Sequence, residues 1–187
     1  MNGKENQVKK TRQYGVRTRS NHTDIRNLKP DAHAMPVFDT TAYTYKSLAD
    51  ADKPEYSFKY ARIATPNGEV LEKTLCSLEE GEAALVVADG MRAISLSISA
   101  MITPGKPGTV LCTTPVYSDT YGYLTKDLPA YGKKSFFLSA HDSIEQLRYY
   151  IGRMKNNLIA PIEMLFIESP ANPTLSVYDI ANLSRMA

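Results

Sequence analysis

The sequence predicts an α/β fold: a mainly parallel sheet with helices on both of its faces. Three observations carry this. From about residue 67, short apolar runs alternate with longer segments of helical apolar spacing. The runs end in turn-forming clusters, Asp89-Gly90, Thr114-Pro115-Val116-Tyr117 and Ser169-Pro170-Ala171-Asn172. The chain has 187 residues, 43% hydrophobic and 22% charged, which suits one soluble domain with a real core.

The elements follow in order. Residues 1–45 show little periodicity and read as an extended basic N-terminal arm, with AMPVFDTTAYTY (34–45) rich in strand-forming residues. NGEVLEKTLCSLEEG has Val70, Leu71, Leu75 and Leu78 at helical spacing, with Asn67 as the expected N-cap and Gly81 as the expected C′ residue. ALVVA (84–88) reads as a short buried strand, and GMRAISLSISAMI (90–102) as a helix closed by Thr-Pro-Gly. TVLCTT (109–114) is the next strand, 118–127 a helix and KSFFL (134–138) a strand. SIEQLRYYI (143–151) starts a helix on a Ser N-cap with Glu145 in its first turn. EMLFIES (163–169) is a strand, and VYDIANLSRMA (177–187) opens a last helix.

That last helix keeps its apolar spacing through Val177, Ile180, Leu183 and Met186 to the final residues, without a cap. A crossover helix with no strand to lead to is expected of part of a larger protein.

Charge is uneven along the chain. Residues 1–29 hold eight Lys/Arg against two Asp/Glu, whereas the rest is net acidic. A solvated or subunit-clasping arm explains this better than nucleic-acid binding, because charged termini are common and a single aromatic residue, Tyr14, lies among the charges. No run reaches membrane-span length and no apolar signal region opens the chain, so the expected location is cytoplasmic. Cys76 and Cys112 have no pairing or metal-ligand spacing and read as small buried thiols. No metal site is expected.

Ligands of open parallel sheets sit beyond the carboxyl ends of the strands. Four motifs lie at such places or feed them. Asp89-Gly90-Met91 opens a helix whose free N–H groups and positive dipole end suit an anion. Tyr60 and Arg62 in KYARIATPN offer a hydroxyl and a bidentate guanidinium for phosphate, or else a packed Tyr beside a surface Arg. Tyr117 in PVYSDTYGY can stack on a flat ring, or be one of several tyrosines on a packed helix face. FIESPANPTL stiffens a loop around Asn172 with two prolines. A Rossmann-type dinucleotide binder would need Gly-x-Gly-x-x-Gly, and ALVVA is followed by DGMRAISL with one glycine.

Together these motifs, in this order and spacing, resemble the Cys/Met-metabolism enzymes that use pyridoxal 5′-phosphate (PLP), the group of cystathionine γ-synthase, cystathionine lyases, methionine γ-lyase and O-acylhomoserine sulfhydrylases. ESPANPTL followed by a DIA-type helix is the most specific segment. The resemblance covers nearly the whole chain but about the first half of a family subunit.

It implies a fold-type I PLP-dependent transferase large domain, truncated, with residues 46–187 as the partial PLP-binding domain. It implies lyase or transferase chemistry at carbon–sulfur bonds: β- or γ-elimination or replacement on cystathionine, methionine or activated homoserine. Gly90 and Met91 would give backbone donors to the cofactor phosphate. Tyr117 would stack on the PLP ring and assist proton transfer, and Asn172 would lie near the phenolic oxygen. Tyr60 and Arg62 would reach the PLP phosphate of a neighbouring subunit, which implies a homo-oligomer, a dimer or tetramer.

The chain departs from the family pattern in three ways. The Schiff-base lysine, the aspartate of the pyridine nitrogen and the substrate-carboxylate arginine are implied C-terminal to residue 187, and no lysine in 1–187 has a matching context. Such a chain is expected to be inactive alone, or to be a non-catalytic remnant that associates with a full-length homologue. Asp89 stands where a small residue usually precedes Gly-Met, and is expected to cap the helix in competition with a phosphate. Ser118-Asp119 follows Tyr117 where glycine is usual, placing a second acid near the ring.

Overall fold

The computed structural model describes residues 14–22, 34–45, 47–53, 58–139, 141–157 and 160–185. It divides into two compact units, Met1–Val86 and Val87–Ala187.

The first unit contains α1 (Val16–His22), a 3-10 turn (Leu48–Asp52) and α2 (Pro66–Leu78). Helix α1 lies inside the stretch read as an extended arm, and most of the remaining arm falls outside the described residues. Residues 34–45 form no helix, and one antiparallel bridge joins Ala42 to Tyr60.

Helix α2 starts two residues earlier than expected. Thr65, not Asn67, is the N-cap: its Oγ1 accepts the Gly68 N–H at 3.0 Å, and Pro66 takes the first helical position, where no N–H is needed. Asn67 is used tertiarily instead. Its Oδ1 accepts the Phe38 N–H at 2.8 Å and its Nδ2 donates to the Pro36 carbonyl at 2.7 Å, fastening the segment 34–45. At the other end, the left-handed residue is Glu80 (φ 55°) rather than Gly81. The Gly81 N–H closes on the Cys76 carbonyl at 2.9 Å, the six-to-one bond of a Schellman cap with Gly81 one place further out.

The expected strand at 84–88 does not form. The segment enters no ladder, and the Val86 N–H donates at 3.0 Å to Oε1 of Glu72, a side chain of α2. A strand exists only through a partner, and here a carboxylate has taken one of the donors.

The second unit carries α3 (Gly90–Met101), β1 (Gly108–Thr114), α4 (Ser118–Gly122), β2 (Lys133–Ser139), α5 (Ile144–Asn157), β3 (Ile162–Phe166) and α6 (Ile180–Ser184). Helix α4 continues through a π turn (Tyr123–Asp127) and a 3-10 turn (Leu128–Tyr131) before Gly132 reverses the chain at φ 74°. The strands are parallel in the order β2-β1-β3, as the alternation predicts. Ser143 and Gln146 form a reciprocal capping box on α5: the Gln146 N–H donates to Ser143 Oγ and the Ser143 N–H to Gln146 Oε1. Strand β3 stops earlier than expected because the Glu168 N–H leaves the ladder for Thr113 Oγ1 at 3.2 Å. Helix α6 starts at Ile180, with Asp179 accepting the Asn182 N–H at 3.0 Å.

Side-chain alternation along the strands divides the core in two. Val110, Cys112, Phe137, Met164 and Phe166 pack with Ile98 of α3 and with Leu124 and Leu128. Leu111, Phe136, Leu138 and Leu165 pack with Leu147 and Ile151 of α5 and Leu183 of α6. Helices therefore cover both faces, and the central β1 is buried on each.

The amino ends of the strands are locked by a buried ion pair. Lys133 Nζ meets Glu163 Oε2 at 2.7 Å, with the two side chains 1% and 9% exposed. Lys133 also donates to the Thr103 carbonyl, and Glu163 Oε1 accepts the Thr103 N–H at 2.9 Å. Gly108 makes room for this pair, since a Cβ there would lie 1.9 Å from Glu163 Oε2.

Candidate functional site

Strands β1 and β3 are neighbours, so the loops after them leave the same end of the sheet. Tyr117 follows β1 and Asn172 follows β3. Glu168, a residue the sequence reading passed over, ties the two loops together. Its Oε1 accepts the Asn172 N–H at 2.8 Å, and both of its oxygens lie 3.3 Å from the Tyr117 N–H. The loop behind Asn172 is closed by the Leu175 N–H on the Ala171 carbonyl at 2.7 Å and by the Ala171 N–H on the Ser176 carbonyl at 2.9 Å. Ala171 is fully buried, while Asn172 remains exposed. Tyr178 adds a further tie, its hydroxyl donating to the Thr114 carbonyl at 2.7 Å.

The start of α3 touches α4, the helix that follows Tyr117. Buried Thr120 of α4 directs its hydroxyl at Met91 Sδ, 3.7 Å away. Asp89 is the N-cap, as the sequence predicts: its Oδ1 accepts the Arg92 N–H at 2.7 Å. The Gly90 and Met91 N–H groups find no acceptor among the described residues. A Cβ on Gly90 would meet nothing within 4 Å, so the chain's own packing does not require glycine there.

Electrostatics at this end are acidic. The hydroxyl of Tyr117 donates to Asp119 Oδ2 at 3.1 Å. That hydrogen bond, and the charge of Asp119, hold the phenol above its ordinary range. Burial, with the charge of Glu168 adding to it, pushes the Cys112 thiol up to about 12, so it stays protonated and does not serve as a nucleophile. Cys76 is half-buried rather than buried, and its thiol donates to the Gly81 carbonyl at 2.7 Å. Both cysteines are free, and no group of metal-ligating side chains occurs among the described residues.

In the first unit, Tyr60 and Arg62 are both exposed and adjacent. The Arg62 guanidinium lies 5.5 Å from the Tyr60 ring centroid, a cation–π arrangement. Among the described residues no carboxylate is in ion-pair contact with Arg62.

Two open N–H groups at a helix start, with an empty cradle over Gly90, fit a phosphate. An exposed tyrosine ring and an exposed asparagine, on loops that Glu168 ties together, fit a flat, oxygen-bearing ring. Asp89 weakens the fit by its charge, although its carboxylate is turned onto the Arg92 N–H.

Comparison with known proteins bears on this geometry. The family model for Cys/Met metabolism PLP-dependent enzymes matches residues 17–187. The L-methionine gamma-lyase of Fusobacterium nucleatum subsp. polymorphum is 26% identical, over 95% of this chain and 43% of its own length. Cystathionine gamma-synthase 1, chloroplastic, of Arabidopsis thaliana is 32% identical, over 86% of this chain and 28% of its own. Among solved structures, metB from Corynebacterium glutamicum superposes with a TM-score of 0.76 at 18% identity, over 94% of this chain and 43% of that one. A putative O-acetylhomoserine (thiol)-lyase from Campylobacter jejuni, solved with N′-pyridoxyl-lysine-5′-monophosphate, gives 0.75 at 20% identity. The chain spans less than half the length of these relatives.

Proposed function

Because the chain belongs to the Cys/Met-metabolism PLP-dependent enzyme family, we propose that its second unit forms the N-terminal part of a PLP site for carbon–sulfur chemistry. The reaction class is β- or γ-elimination or replacement on cystathionine, methionine or activated homoserine. The N–H groups of Gly90 and Met91 hold the phosphate. The Tyr117 ring lies against the cofactor ring with its hydroxyl near the reacting end, and Asn172 orients the cofactor from the side of its phenolic oxygen. PLP, when bound, supplies the electron sink. The observation that supports this reading is that the loops of Tyr117 and Asn172 leave the same end of a parallel sheet tied together by Glu168, with Met91 beside Thr120 of the helix that follows Tyr117.

Tyr60 and Arg62 serve a neighbouring subunit's phosphate, and the whole protein is a homo-oligomer, a dimer or tetramer. The exposed pair, with Arg62 free of carboxylates among the described residues, supports this. It equally supports a second reading, association with a full-length homologue whose site the pair would complete. Two free cysteines suit a cytoplasmic setting. Without a lysine in the context the family needs, residues 1–187 alone do not turn substrate over.

Absorbance titration of the chain with PLP tests the site. PLP binds and pyridoxal, which lacks the phosphate, does not compete with it. Equal binding of the two compounds would sink the phosphate assignment. Clear turnover of methionine or cystathionine by the purified chain with PLP would sink the claim of inactivity. Mixing the chain with an intact homologue and looking for hetero-oligomers separates the second reading from the first.

A further inference from the structure

We propose that Glu168 is a positioning residue that sets the spacing between Tyr117 and Asn172 across the cofactor site. This rests on the PLP reading of the site and deepens it. Among the described residues the carboxylate is the one side chain that bonds the backbone of both, at 2.8 Å to Asn172 and 3.3 Å to Tyr117. Its own main chain is fixed to β1 by the Glu168 N–H on the hydroxyl of fully buried Thr113. The neighbouring Ser169 Oγ accepts the Tyr178 N–H at 3.1 Å, and the Tyr178 hydroxyl returns to the Thr114 carbonyl. Glu168 is therefore held at its base by the ends of β1 and β3, with its acceptor oxygens reaching forward to both loops.

The chemistry explains why an acid occupies the place. A carboxylate has two acceptor oxygens and no donor, so it satisfies two converging N–H groups without presenting a hydrogen to either. Charge-assisted bonds of this type are stronger than neutral ones. Glutamine retains one acceptor oxygen, but its NH2 group would face a donor whenever the second oxygen's place is used. Alanine leaves both N–H groups without a partner.

The test combines hydrogen exchange with cofactor spectra on the full chain and on its Glu168→Gln and Glu168→Ala variants. In the absence of PLP, Glu168→Ala speeds amide exchange at Tyr117 and Asn172 together, roughly tenfold, while amides of β1 stay protected. With PLP added, Glu168→Ala weakens binding about tenfold and reduces the visible circular dichroism of the bound cofactor. Glu168→Gln recovers part of both, and serves as the folded variant should alanine disturb the loops. Unchanged exchange at the two amides would overturn the clasp. Unchanged PLP affinity and dichroism in Glu168→Ala, beside a parent that binds PLP, would overturn the positioning role and leave the reading of the site intact. A parent chain that gives no PLP signal would overturn that reading, and the positioning role with it.

Discussion

The carboxylate of Asp89 accepts the backbone N–H of Arg92 at 2.7 Å, and its second oxygen lies 4.0 Å from the Arg92 Nε. The acid therefore spends its acceptor on the third N–H of α3 and leaves the first two to a ligand. Its charge still stands beside them, on a side chain 56% exposed. Asp89→Ser keeps an N-cap oxygen and removes the charge, so stability should change by less than about 0.5 kcal/mol. PLP affinity should rise roughly two- to fivefold at low ionic strength, with the gain shrinking as salt is added. Equal affinities for the two proteins in a spectral titration would count against the charge argument.

Tyr117 donates to Asp119, and ionising the phenol would break that bond and set two negative charges side by side. Asp119→Asn should therefore move the Tyr117 titration down, toward the ordinary phenol value. With 12 tyrosines in the chain, the measurement is a difference: ultraviolet tyrosinate absorbance of each protein minus that of its Tyr117→Phe counterpart. The residual curve should reach its midpoint at lower pH in Asp119→Asn. Coincident curves would show that Asp119 does not control the phenol.

The Lys133–Glu163 pair predicts how the second unit responds to acid. Burial alone would raise the Glu163 carboxyl, but Lys133 and the Thr103 N–H outweigh it and hold the group below its ordinary value of 4.5. A depressed carboxylate stabilises the fold above its unfolded value, and that contribution is lost as pH falls from about 4.5 through the lower folded value. Thermal melts should show Glu163→Gln less stable than the parent by about 3 kcal/mol near neutrality. The difference should narrow below pH of about 4. A gap that stays constant into acid would refute the assignment.

Gly108 predicts a packing failure at the same place. A methyl group there meets Glu163 Oε2 at 1.9 Å and Lys133 Nζ at 2.8 Å, so the pair must move. Gly108→Ala should cost about 1–3 kcal/mol in denaturant unfolding. A neutral effect would mean that the pair relaxes freely.

Glu80 sits at φ 55°, where a side chain is strained and glycine is not. Glu80→Gly should stabilise the first unit by about 0.5–1 kcal/mol, because relief of strain exceeds the added chain entropy. A lower melting temperature would show that Glu80 makes contacts that matter more.

What the sequence by itself determined about this protein is what short-range bonding encodes. The caps Asp89 and Ser143 find their partners three residues on, so a residue type and a spacing suffice to read them. The alternation of strand and helix fixes a parallel sheet, and the loops of Tyr117 and Asn172 follow the carboxyl ends of two of its strands. Asn67 and Gly81 show the limit of such reading even locally. Thr65 was two residues away and bound first, and the bonds of Asn67 go to residues 36 and 38, far off in sequence.

The tertiary structure alone decided which distant groups meet. Segment 84–88 has the composition of a strand, yet composition names no partner, and a carboxylate of α2 took the Val86 donor. Glu168 reaches Tyr117 across 51 positions, and Lys133 reaches Glu163 across 30. Nothing in the spacing of those residues marks them, because their pairing depends on β1 lying between β2 and β3. Strand order is a property of the folded chain: it brings Tyr117, Glu168 and Asn172 to the carboxyl end of the sheet and seals Lys133 and Glu163 at the amino end.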